Sequence, residues 1–368
     1  MRPHTLAVHP PLPAAPPDAN RPSSPPIYAS ASFEGDPEAI AGLLRGEGEG
    51  YVYSRYANPT AAACEAGVAA LEGADGAVWC ASGMAAISAV AFARLRAGDE
   101  VLCASRVYGV TAALLRRVLA PLGVEVRFEE LDALAARANT RLIVAETIAN
   151  PGLETADIPT IASRKGDAWL LVDNTFASPA LCTPLAHGAD LVVHSASKYI
   201  GGHGDLIGGV VAANAPALAA VRAAAATIGL TGDPWTAFLA ARGLKTLPLR
   251  MERHSANARA VTAFLRDRGL PAHTAARRPW LRDCGGMVSV DLPDRETAFG
   301  VLRRLRLFRC APSLGDCHSL ALHPASTSHR DLDAAGLAAV GITPGTLRLS
   351  VGLEDEADLL DDLGRALS

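Results

Sequence analysis

The 368-residue chain lacks most of the features that would place it in a specialised class. It has no C-x-x-C spacing, and its 7 cysteines are odd in number and scattered, which argues against a disulfide framework or a zinc site. Small buried thiols in a reducing compartment are the expectation, and no metal site is read from the sequence. There is no apolar leader stretch at the N-terminus and no apolar run long enough to span a bilayer, so a cytoplasmic protein without membrane contact is expected. Charge of one sign is missing too. The formal net charge is −4 and the arginines are interspersed with acids, which gives no reason to expect a nucleic-acid partner. What remains is 49% hydrophobic and 20% charged, a globular composition long enough for two cores.

Organisation follows from the periodicity. Residues 1 to about 26 carry Pro10-Pro11, Pro13, Pro16-Pro17 and Pro25-Pro26, so they are expected to run extended, neither helix nor central strand. Residues 1–50 are read as an arm. From Thr60 onward helical and short apolar segments alternate. Helices are expected at Thr60–Leu71, Gly83–Leu95 and Val110–Leu119. Strands are expected at Ala77–Ala81, Glu100–Ala104, Val124–Phe128, Leu142–Ala145, Trp169–Val172, Leu191–Val193 and Gly209–Ala213. Short apolar strands separated by helices indicate an α/β domain with a mostly parallel sheet covered on both faces, assigned to residues 51–245. The character changes after 245: one long helix over Leu247–Leu265 leads into a smaller α+β domain, 246–368.

In a parallel α/β sheet the ligand lies beyond the carboxyl ends of the strands, and the polar signals fall there. Lys198 follows the apolar run Ala189–Val193 in His194-Ser195-Ala196-Ser197-Lys198-Tyr199-Ile200-Gly201-Gly202-His203-Gly204-Asp205. A lysine kept off the surface is costly unless its charge is neutralised or used, and one use is as a Schiff-base amine. Ser195 and Ser197 are placed to hold the phosphate of the cofactor carrying the aldehyde. Asp173, after Trp169-Leu170-Leu171-Val172, would face a protonated pyridine nitrogen or cap the next helix. Ser82-Gly83-Met84 stands between strand and helix, either holding a phosphate on free amides or simply capping. Tyr108 would stack on a cofactor ring or serve as a core tyrosine. Asn150, in Glu146-Thr147-Ile148-Ala149-Asn150-Pro151, could reach a ring hydroxyl or a substrate carboxylate. Arg348, on the apolar strand Leu347–Val351, is the exposed half of an alternating strand or a carboxylate clamp.

These pieces together resemble the Cys/Met-metabolism family of PLP (pyridoxal 5'-phosphate) enzymes, whose members include cystathionine γ-synthase, cystathionine lyases, methionine γ-lyase and O-acylhomoserine sulfhydrylase. The resemblance runs from Pro26-Ile27-Tyr28 to Leu349–Glu354. It rests on Tyr53-Ser54-Arg55-Tyr56-Ala57-Asn58-Pro59-Thr60, Ala81–Ala86, Val172–Thr175, the Lys198 segment, Arg242–Leu247 and His323-Pro324-Ala325-Ser326. It implies PLP fold type I, the aspartate-aminotransferase-like fold, with PLP on Lys198 and Asp173 on its ring nitrogen. Ser195, Ser197 and the Gly83 and Met84 amides, with Ser82 at their turn, would hold the phosphate. Tyr53 and Arg55 would reach the phosphate of a neighbouring subunit, in a homotetramer built as a dimer of dimers. Tyr108 would stack on the ring and protonate the leaving group, while Arg348, Asn150 and Ser313 would receive the substrate carboxylate.

Several positions depart from the cystathionine-handling pattern. Val52 stands where an acid precedes the tyrosine matched by Tyr53, Ala113 where an arginine follows the stacking tyrosine, and His318 where Ser313-Leu314-Gly315-Asp316-Cys317-His318-Ser319-Leu320 would carry glutamate. All three remove charge that would hold a distal amino-acid head, so a smaller or less polar distal group is expected. Val110 stands where methionine γ-lyases carry cysteine. The expected activity is β- or γ-elimination on a sulfur amino acid by a C–S lyase, the alternative being γ-replacement on an O-acylhomoserine.

Overall fold

The apolar runs between residues 76 and 213 pair into one seven-stranded sheet in the computed structural model, which describes residues 1–11, 22–150, 152–330 and 332–368. Its strands are β1 (Gly76–Cys80), β2 (Glu100–Ala104), β3 (Glu125–Glu129), β4 (Thr140–Glu146), β5 (Trp169–Asp173), β6 (Leu191–Ser195) and β7 (Gly209–Ala213), in the order β1-β7-β6-β5-β4-β2-β3. Only β7 is reversed: it is antiparallel to β1 and β6, while every other pairing is parallel. Every residue of β2 and β7 is buried, as strands covered on both faces should be, and Glu100, the one charged residue among them, is bonded to Arg127 and Thr140. The edge strand β3, Glu125-Val126-Arg127-Phe128-Glu129, alternates charge with apolar side chains, which protects an unpaired edge.

A second sheet lies in the C-terminal part: β8 (Ala272–His273), β9 (Met287–Asp291), β10 (Arg309–Cys310), β11 (Leu320–Leu322) and β12 (Thr346–Ser350), ordered β10-β11-β12-β9-β8. The two sheets have separate hydrophobic cores. Helix Leu247–Asp267 joins them, burying Leu247 and Met251 in the first core and Ala258, Val261 and Leu265 in the second. The fold is therefore the α/β arrangement expected, with a mostly parallel large sheet and a second, smaller sheet after the connecting helix.

Some expectations need correction. The N-terminal segment is not wholly extended, because Pro3–Val8 is helical with Pro3 in the first turn, where a missing N–H costs nothing. Ala7 of this helix is buried in the larger core. The helix expected over Val110–Leu119 is present but not α-helical throughout: an α-helix, Gly109–Leu114, widens into a π-helical stretch over Leu115–Leu119. Helices Ala215–Ile228 and Pro234–Leu244, both rich in alanine, were not anticipated. The short strands β8, β10 and β11 are set by pairing and carry too few residues to show a period.

Helix Pro59–Glu72 illustrates how the site is framed. Asn58 caps it, its Oδ1 accepting from the Thr60 and Ala61 amides, with Pro59 at the first helical position. Its last residue, Glu72, is buried beneath the sheet edge. There Glu72 Oε1 accepts from His194 Nε2 at 2.7 Å and from Asn174 Nδ2 at 2.9 Å. Asn174 follows Asp173 and His194 precedes Ser195, so this buried set ties together the ends of β5 and β6.

Candidate active site

Because β7 is reversed, β1, β2, β4, β5 and β6 all end at the same edge, and Lys198 lies in the turn just beyond β6. The chain has three lysines, Lys165, Lys198 and Lys245, and Lys165 is paired with Asp190 at 2.8 Å. Lys198 Nζ donates to Ser313 Oγ at 2.9 Å. Burial and then the Arg348 charge pull its pKa from 10.5 to about 8. At pH 7 about a tenth of such an amine is uncharged, against a few parts in ten thousand for an ordinary lysine. An amine must be uncharged to attack a carbonyl, so this environment suits Schiff-base chemistry.

Asp173, at the end of β5, is held by Thr175, whose amide and hydroxyl both donate to Oδ1, at 3.0 and 2.5 Å. The same hydroxyl oxygen accepts from the Ser195 amide at 2.8 Å. Burial raises the Asp173 pKa, and the Thr175 bonds act against it. A cationic ring nitrogen facing this carboxylate would relieve that cost.

The turn after β1 is a cradle. Ser82 Oγ accepts from the Ala85 amide at 3.0 Å and so caps helix Gly83–Arg94, leaving the Gly83 and Met84 amides at its start. A Cβ on Gly83 would sit 2.9 Å from the Ser195 Cβ, so only glycine permits the two turns to approach this closely. Ser197 Oγ accepts from the Gly208 amide at 3.0 Å, which orients it in the Lys198 turn.

The opposite wall comes from the second sheet. Every residue of β12 is buried, so Arg348 is not the exposed half of an alternating strand. Its Nη1 donates to Asn150 Oδ1 at 3.1 Å and its Nη2 to the Ser313 carbonyl at 2.9 Å. Its Nε has no hydrogen-bond partner among the described residues. Burial lowers its pKa to about 10. A buried guanidinium bonded to neutral oxygens with a donor to spare is poised for a carboxylate. Gly315, at φ +75°, makes the neighbouring turn: a Cβ there would meet the Tyr199 amide nitrogen at 2.7 Å. Tyr108 is 39% exposed at the start of helix Gly109–Leu114, its ring free of the core.

Tyr53 and Arg55 stand apart. Arg55 donates to the Ala226 carbonyl at 2.6 Å and stacks over Tyr56 and Tyr53, and none of these contacts reaches Lys198. His318 is likewise not drawn to Lys198; its Nδ1 lies 3.2 Å from Asp316 Oδ1. Pro151 lies outside the described residues. Sequence reasoning missed Thr175, although it sits within the quoted Asp173-Asn174-Thr175. It also missed His329, which is buried beside Arg348, with Nδ1 2.9 Å from Ser328 Oγ and a pKa lowered to about 4 by burial and that charge.

The model of the Cys/Met metabolism PLP-dependent enzyme family matches residues 4–368. The chain belongs to this family. It is 41% identical to the L-methionine gamma-lyase of Pseudomonas putida, over 93% of this chain and 92% of that one. It is 44% identical to the cystathionine gamma-synthase of Mycobacterium tuberculosis, over 93% and 91%. Among solved structures, one described as an O-acetylhomoserine (thiol)-lyase of Campylobacter jejuni aligns with a TM-score of 0.93 at 30% identity, over the full length of both chains. That structure carries N'-pyridoxyl-lysine-5'-monophosphate. The protein is thus a PLP-dependent enzyme with the type I fold. The half-buried Asp173 carboxylate, the Gly83 cradle and the Lys198 amine, its pKa lowered to about 8, fit that cofactor.

Proposed function

We propose that this enzyme is a C–S lyase that eliminates the sulfur-bearing group of an amino acid from its β or γ carbon, releasing a 2-oxo acid, ammonia and a thiol. The observation that carries this reading is the half-buried amine of Lys198, which donates to Ser313 and whose pKa is lowered to about 8 by burial and the Arg348 charge. PLP, when bound, supplies an electron sink for the carbanion that forms once the α proton leaves. The chain's residues do the rest. Lys198 holds the cofactor, and its freed amine takes the α proton and moves a proton at the β carbon. Asp173, steadied by Thr175, keeps the ring nitrogen protonated. Ser195, Ser197 and the Gly83 and Met84 amides receive the phosphate. Arg348, with Asn150 and Ser313, grips the substrate carboxylate, and a grip at both ends of the reacting unit fixes its orientation. Tyr108 stacks on the ring and is the acid for the leaving group. Tyr53 and Arg55, whose contacts in their own chain are with each other, Tyr56 and Ala226, would serve a neighbouring subunit's phosphate in a homotetramer. The uncharged Val52 and Ala113 favour a smaller or less polar distal group than that of cystathionine.

Elimination and replacement differ in whether water or a second substrate meets the unsaturated intermediate. Keto-acid release from L-methionine, L-cystathionine, L-cysteine and O-acetyl-L-homoserine, each with and without added thiol, separates them. Rapid 2-oxobutyrate or pyruvate without thiol is expected. Thioether in place of keto acid once thiol is added would make replacement the activity.

A further inference from the structure

Glu146 is a buried carboxylate that the mechanism above does not use. It is the last residue of β4, in register with Asp173 on β5, and only 7% exposed. Its Oε1 accepts from the Tyr108 amide at 2.6 Å and its Oε2 from the Asn150 amide at 3.2 Å. Those two amides belong to different loops, one after β2 and one after β4. On the functional reading above Tyr108 carries the ring that would stack on the cofactor, and the Asn150 side chain accepts from Arg348. Burial and the Asp173 charge both raise the Glu146 pKa, and the two amide bonds oppose them. A glutamine would fill the same space at no charge cost, but its amide nitrogen cannot accept a hydrogen bond. Only a carboxylate satisfies both backbone donors at once.

We propose that Glu146 is a positioning residue, which sets the distance between the ring-stacking Tyr108 and the Asn150–Arg348 grip on the substrate carboxylate. The inference rests on the functional reading above. It separates two properties that a general loss of packing would change together: binding of the amino group and binding of the carboxylate. Glycine and methylamine report on them, since both offer an amine, only glycine has a carboxylate, and neither has a leaving group.

The test is a titration of the cofactor's visible absorption in the PLP-loaded holoenzyme with each amine, in wild type and Glu146→Gln. Loss of one buried bond to a charged acceptor corresponds to roughly a tenfold to hundredfold weakening. The expected result is a glycine half-saturation raised by that factor with the methylamine value within twofold of wild type. Equal weakening of both amines, or no change in either, would overturn the proposal. Glu146→Asp, which keeps the charge and withdraws it by one methylene, gives the same reading if the glutamine variant does not fold. A selective glycine loss in it supports the proposal and a wild-type response overturns it. A wild type whose spectrum ignores both amines would defeat the functional reading itself, and the inference with it.

Discussion

The two walls of the site are built by different means. The wall from the large sheet is made of strand ends: Ser82 and Gly83 after β1, Glu146 ending β4, Asp173 ending β5, Ser195 ending β6. Polar groups there lie where the ladder stops, and neighbouring turns supply their partners, as Thr175 does for Asp173 and Ser195. The wall from the small sheet is a single arginine in the middle of a strand, between Leu347 and Leu349, with every neighbour buried. A cation in that position is retained only if something anionic comes to it. The polar groups of the large-sheet wall are thus partnered by neighbouring turns, with Asp173 still suited to a cation, whereas the small-sheet arginine is suited to an anion. On the function proposed above, the first wall would hold the cofactor, and the second, with Asn150, would capture the substrate.

Substitutions can break this division. The largest effect is expected from Lys198→Ala, which on the proposed function would remove both the cofactor's anchor and the base. Keto-acid release should fall at least about ten-thousandfold, in line with loss of a nucleophile that acts with its partners as a unit. Arg348→Ala comes next. It should raise KM for the amino acid roughly a hundredfold while PLP affinity changes little, since on the proposed function the lost contact would be a charge-assisted one to substrate. A matching loss of PLP affinity would erase the distinction between the walls. Glu72→Gln should weaken PLP binding to the apoprotein roughly tenfold, because Glu72 ties down the neighbours of Asp173 and Ser195. Cofactor fluorescence on titration reads that value.

The smallest effect concerns stability and pH. His254 is fully buried, bonded to the Val351 carbonyl at 2.7 Å, and burial holds its pKa near 4, below the 6.5 of a free histidine. The unfolded chain takes up a proton below 6.5 that the folded chain refuses. Stability from this group is thus complete above pH 6.5 and declines as pH falls towards 4, by up to about 3 kcal/mol. Thermal unfolding of wild type and His254→Gln across that range should show the decline reduced in the variant.

Much of this was legible in the sequence, for identifiable reasons. The strands of the large sheet appear as short apolar runs because both their faces are covered, and the polar residues that end them are conspicuous for that reason. Lys198, Asp173 and Gly83 could be singled out in this way. Arg348 could not, since Leu347-Arg348-Leu349 reads equally well as an alternating surface strand, and only tertiary burial decides between them. Thr175, His329 and Glu72 were illegible for another reason: their parts depend on which turns meet, and a local pattern carries no record of that. Helix Pro3–Val8 was misread because a proline-rich composition hid one proline in the position where a helix accepts it.

The most direct test of the central claim is borohydride reduction of the PLP-loaded protein followed by peptide mass mapping. The chain offers three lysines as attachment points. The account predicts the pyridoxyl mass on Lys198 alone. A label on Lys165 or Lys245, with Lys198 unmodified, would contradict it.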